Sequence, residues 1–235
     1  MTRHCYNNPF TGILLSFAIL TSSCSPSLSL QKPVVQESTP DAFPLAYYRE
    51  SQSTGSKVLR VDPDRSLITI VVRRDGALAR LGHDHVVASH HINGFVDISG
   101  GRADLYFLLE QLVVDETALR QAAGFTTQPS EDAIAGTRLN MLGKVLESSR
   151  YPYVLIRVIR DTEKLQTLSV TITLHGTEKT FEVPAQIKML NDDMEVNGLL
   201  TFNQSDFGLT PFSILGGAIR VHDRLELTFR IVAKK

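Results

Sequence analysis

Along residues 224–231 the chain alternates without a break. Leu225, Leu227, Phe229 and Ile231 fall on one side, and Arg224, Glu226, Thr228 and Arg230 on the other. A period of two marks a β-strand with one buried face. The same period runs through Leu105, Phe107 and Leu109, through Val170, Ile172 and Leu174, and through Val183, Ala185, Ile187 and Met189. Turn-forming clusters at 99–101, 161–164, 176–178 and 191–193 separate these runs. The pattern predicts eight antiparallel strands, near 66–74, 85–98, 102–114, 153–160, 166–175, 179–190, 194–204 and 221–233. Several are longer than the usual strand of about five or six residues.

Between the third and fourth strands the period changes. Ala135, Leu139, Leu142, Val145 and Leu146 recur at helical spacing, Ser130 suits an N-cap, and Glu131 and Asp132 suit a first turn. This predicts one helical insertion over 131–147, lying across the sheet. Long strands in an up-and-down series need their edges closed, and about eight make a barrel wide enough for one small ligand. The expected fold class is therefore mainly β, an eight-stranded antiparallel barrel; a filled sandwich is the competing architecture.

Four segments carry a likeness. DPDRSLITI, TRLNMLGKVLESSRYPYVLIRV, LSVTITLHGTEKTFEVP and SDFGLTPFSILGGAIRVHDRLEL resemble, in order and spacing, the YceI-like family. The most specific residues are Ser205, Asp206, Phe207 and Gly208, then Pro211, Phe212 and Ser213, with Leu174, His175 and Gly176. The resemblance covers about 58–233. It implies an extended lipocalin-like barrel in the bacterial envelope whose apolar tunnel holds a polyisoprenoid or similar amphiphile.

The rest of the chain is an address and a tether. Arg3 and His4 precede an apolar stretch at 10–20, followed by Thr21, Ser22, Ser23 and Cys24. This reads as a signal peptide over 1–23. A membrane span would need roughly 20 apolar residues. The run LTSSC also resembles the lipobox of bacterial lipoproteins, in which the new N-terminal Cys carries a lipid. Leu20 departs from it, lying four residues before Cys24 where the family has it three before. The expectation is a membrane-anchored lipoprotein attached through Cys24, with a plain signal peptide and a soluble periplasmic protein as the alternative. Residues 24–56, rich in Ser and with Pro26, Pro33, Pro40 and Pro44, read as a tether, with the FPLAYY run at 43–48 able to dock locally. The barrel domain is then 57–235.

Composition narrows the chemistry. With 24 Lys+Arg against 25 Asp+Glu the net charge is −1, so no global field draws nucleic acid. Of the two cysteines, Cys5 leaves with the signal if the cut falls before Cys24, and the mature chain then cannot close an internal disulfide. No GxSxG elbow, P-loop or GxGxxG marks an enzyme. Asp115 and Glu116 read as a helix cap.

Inward candidates for lining a ligand tunnel are Leu105, Phe107, Leu109, Ile172, Leu174, Leu200, Phe202, Leu225, Leu227 and Phe229. Phe207 and Phe212 sit on a turn that caps or gates it, and plain core packing is the alternative for each. A rival site is the Gly82-His83-Asp84-His85 segment, since His83 and His85 share a strand face and could bind a metal or haem iron, with His90 and His91 nearby. His175 and His222 are expected on outward polar positions. The reading adopted is a non-enzymatic binder of an isoprenoid-type lipid that requires no cofactor. An envelope metal or haem protein stands second and an interaction module third; pairing of two barrels is left open.

Overall fold

The computed structural model describes residues 39–160 and 166–235. The signal peptide, Cys24, the tether up to residue 38 and the 161–164 turn lie outside the described residues. The eight long strands are β1 (Val58–Val61 and Leu67–Val72), β2 (His85–Ser89 and Asn93–Asp97), β3 (Arg102–Leu108 and Val113–Val114), β4 (Tyr153–Arg160), β5 (Thr167–Leu174), β6 (Thr177–Leu190), β7 (Asp193–Asn203) and β8 (Arg224–Lys234). Each pairs antiparallel with the next. β8 returns to β1, with Arg60 opposite Lys234 and Ile70 opposite Leu227. The sheet therefore closes as a barrel, not a sandwich.

The first three strands are each broken once, and the break in β1 hid its start from the sequence pattern. Pro63 opens a 3₁₀ turn over Pro63–Arg65, which Asp62 caps by accepting from the Asp64 N–H at 3.2 Å. A turn signal there reads as the end of a segment, yet the strand resumes. Ser66 bridges the interruption, its hydroxyl donating to the Val232 carbonyl at 3.3 Å and accepting from the Val232 N–H at 3.0 Å. Lys234 closes the seam on the buried Asp62 at 2.9 Å.

Two helices, not one, fill the β3–β4 connection: α2 (Thr117–Ala122) and α3 (Glu131–Asn140), the latter running into a π-helical turn at Met141–Val145. Ser130 caps α3 as expected, accepting from the Ala133 N–H at 3.3 Å. Leu142 and Leu146 are buried, and Ile134, Met141 and Val145 pack beside them. Ala135 and Leu139 are exposed instead, Leu139 by 74%. The π turn adds a residue to its turn and shifts the phase of the buried stripe, which a uniform 3.6-residue period does not allow for.

Residues 39–56, assigned to the tether by composition, pack on the barrel's outer wall. A helix, α1 (Leu45–Ser53), precedes β1. Tyr48 is buried, and its hydroxyl donates to Asp104 Oδ2 at 2.7 Å. Tyr47 donates to Asp97 Oδ2 at 3.0 Å and lies under the Arg102 guanidinium. Phe43 meets the Tyr106 ring edge-on at 4.8 Å. The FPLAYY run does dock, and it takes the following helix with it. Asp104 points away from the barrel interior and is buried beneath Tyr48, with Arg102 and Arg157 on its carboxylate.

Candidate ligand cavity

Alternation along a closed sheet sends every second side chain inward, so the barrel interior is a stack of side-chain layers. At the end carrying the β2–β3 and β6–β7 turns, these layers do not meet. They enclose a cavity of about 1190 Å³, lined by Leu105, Ile156, Val158, Leu168, Val170, Ile172, Val183, Ala185, Val196, Leu200, Leu227, Phe229 and Ile231 among others. The wall is aliphatic apart from Phe229. Arg160 and Gln166, in phase with the inward residues of their strands, stand at the mouth, whereas Lys188 and Asn197 lie on the outer face, where Asn197 donates to Glu195 Oε1 at 2.9 Å. Ile187 and Met189 form part of the rim, 38% and 51% exposed.

One glycine shapes the wall. A Cβ on Gly198 would stand 2.4 Å from Cζ of Phe229 and 2.9 Å from the Pro184 carbonyl oxygen. The two residues face each other across β7 and β8. The missing side chain is what allows the Phe229 ring to lie flat along the wall and leave the bore open.

Five of the residues singled out from the pattern line this space: Leu105, Ile172, Leu200, Leu227 and Phe229. Phe107, Leu109, Phe202, Phe207 and Leu225 do not; they are buried in the packed core toward the other end, and Leu174 packs against it. Phe212 neither lines nor gates the cavity. It sits in the β7–β8 connection with the Lys144 ammonium 5.6 Å from its ring centre. Period two reports which face a residue is on, but not how deep in the barrel it lies. Val183, Ala185, Ile187 and Met189 belonged on the lining set, and their alternation along β6 was the available signal.

The histidine segment lies at the opposite end. His85 Nδ1 is 2.6 Å from Asp115 Oδ2, while Asp115 Oδ1 accepts from the Val86 N–H at 3.0 Å and from Arg120 at 2.5 Å. Burial works to raise the Asp115 carboxyl, but these three hydrogen bonds outweigh it and hold the group below the usual carboxylate range. Arg120, itself buried, also donates to the Asp84 and Thr127 carbonyls. Asp115 is thus more than a helix cap: it holds a left-handed backbone with φ of 60° and ties β2 to α2. His85 is a member of this structural network, and His83 is exposed beside it. Among the described residues, no group of three His, Cys, Asp or Glu side chains is placed to hold a metal ion.

His90, His222 and His175 are also engaged. His90 Nε2 is 2.7 Å from Glu116, and the His222 ring accepts from the Arg224 N–H at 3.1 Å. His175 departs from its expected outward position. It occupies the tip of the β5–β6 hairpin with φ of 52°, against the Tyr151 ring and 3.2 Å from Glu147. Strand alternation stops at Leu174, so phase no longer governs it.

A closed antiparallel barrel with an apolar interior cavity and polar groups at its mouth defines a class of internal-ligand binders. The chain belongs to the YceI-like domain family, whose pattern matches residues 60–233. Two solved structures share the fold. A polyisoprenoid binding domain from Saccharophagus degradans, implicated in plant cell wall breakdown, aligns with a TM-score of 0.54 at 13% identity, over 76% of this chain and 98% of that one. Burkholderia cenocepacia BcnA aligns with a TM-score of 0.53 at 16% identity, over 74% and 99%. No curated protein matches the sequence.

Proposed function

We propose that the chain binds an amphiphilic lipid of the polyisoprenoid class inside the barrel and carries or sequesters it in the bacterial envelope, without doing chemistry on it. The observation that carries this reading is the cavity: about 1190 Å³ of space with a largely aliphatic wall. Burial there yields roughly 25 cal/mol per Å² of apolar surface, so a prenyl chain leaves water strongly. The mouth residues Arg160 and Gln166 offer partners to a polar head left at the rim. The Saccharophagus degradans relative, described as polyisoprenoid binding, supports the choice of lipid class. The sequence at 20–24 supports export and attachment to a membrane through Cys24.

Native mass spectrometry of the full chain, purified without detergent and combined with metal analysis, tests the reading. A hydrophobic adduct of one mass per chain is expected. Stoichiometric metal without such an adduct, lost in a His83→Ala, His85→Ala double variant, would overturn it. Anchoring is tested separately: Cys24→Ala should change the N-terminal mass and release the protein from the membrane fraction.

A further inference from the structure

The cavity has a floor. One layer above its innermost lining residues, the next inward positions are Phe107, Val154, Leu174, Phe181, Phe202 and Leu225, all belonging to or packed against the core. Each is two residues along its strand from a residue that lines the cavity: Phe107 from Leu105, Phe181 from Val183, Phe202 from Leu200 and Leu225 from Leu227. Phe181 and Phe202 are 6.1 Å apart between ring centres, and Phe207 closes over both at 6.1 Å and 5.5 Å. Phe207 is wholly buried. It is placed by the 3₁₀ turn Gln204–Phe207, in which Asn203 and Asp206 cap each other and Gly208 follows in the left-handed conformation.

We infer that this aromatic layer is a stopper that makes the cavity blind and sets the length of chain it accepts; the inference rests on the lipid-binding reading above. Two residues of strand advance about 6.7 Å, and a strand tilt of about 40° reduces that to about 5 Å along the barrel axis. One layer of side chains is thus matched to one isoprene unit. On β6 the cavity takes in four layers, Val183, Ala185, Ile187 and Met189. That gives about 20 Å of bore, or about four units. A longer prenol would leave its surplus in water at the mouth.

The test is a ladder of all-trans prenols of increasing length, each titrated into the full chain stripped of endogenous lipid. Affinity should rise by about tenfold or more with each added unit, then level off beyond about four units. Phe202→Leu opens the floor and should move the break to longer prenols. Leu200→Phe fills the layer beneath it and should move the break one unit shorter, so the pair tests the stopper even if one variant folds poorly. A break that stays put in both variants, or affinity that climbs through every length in the wild type, overturns the stopper while leaving lipid binding intact. No binding at any length overturns the lipid reading itself.

Discussion

Gly198→Ala should damage stability and ligand capacity together, and the structure says why. The new methyl would lie 2.4 Å from Phe229 Cζ and 2.9 Å from the Pro184 carbonyl oxygen. The carbonyl is backbone of β6, which pairs with β7 at Ala185 and Gly198 and so cannot retreat without straining the ladder. The ring can move, but only into the bore. Overpacking of this kind costs about 1–3 kcal/mol. For a domain of this size each kcal/mol lowers Tm by about 2–4 °C. Thermal or urea unfolding measures the loss, and prenol titration measures the narrowed bore. Phe229→Ala removes the group that is struck, so the double variant should be less destabilised than the sum of the singles. A Gly198→Ala protein as stable as wild type with unchanged prenol affinity would refute the reasoning, as would strict additivity in the double variant.

Other consequences concern the barrel's supports. Asp115→Ala leaves the buried Arg120 guanidinium without its carboxylate, a loss of about 3–5 kcal/mol. Because the Asp115 carboxyl is held low in the folded state, its contribution is present above about pH 4 and is lost as pH falls through the lowered value. Asp115→Asn should therefore be less stable than wild type at neutral pH and converge toward it in acid; parallel urea midpoints across that range would contradict this. Tyr48→Phe removes a buried hydrogen bond to Asp104, which still holds Arg102 and Arg157. About 1.5 kcal/mol is expected, along with faster amide exchange across 39–56, and unchanged exchange there would show that Tyr48 does not fasten the segment.

What the sequence could reveal divides along a physical line. Alternation is a local property, so the faces of β3 and of β5 to β8 were legible from residues such as Leu105, Ile172 and Phe229. Depth along the barrel axis is not local. Phe107 and Phe202 have the same phase as Leu105 and Leu200, and the core closed by the Phe207 turn makes the first pair a seal and the second a wall. The docking of 39–56 was obscured because the 24–56 segment as a whole is rich in Ser and Pro, while its fixed points are two tyrosines and a phenylalanine. His83 lies before the strand that starts at His85, so the two do not share a strand face as the alternation predicted, and the carboxylate that engages His85 comes from Asp115, 30 residues further along the chain.

The central claim is that a prenyl chain enters the barrel through this mouth, and the composition offers a clean way to observe it. The chain has no tryptophan, so one placed at Ile187, on the rim of the cavity, is the sole indole and reports on that site alone. With added prenol the emission of Ile187→Trp should shift to the blue and saturate at one ligand per chain, while that of Val113→Trp, at an exposed position away from the cavity, stays unchanged. No shift at Ile187, or an equal shift at both positions, would contradict the account.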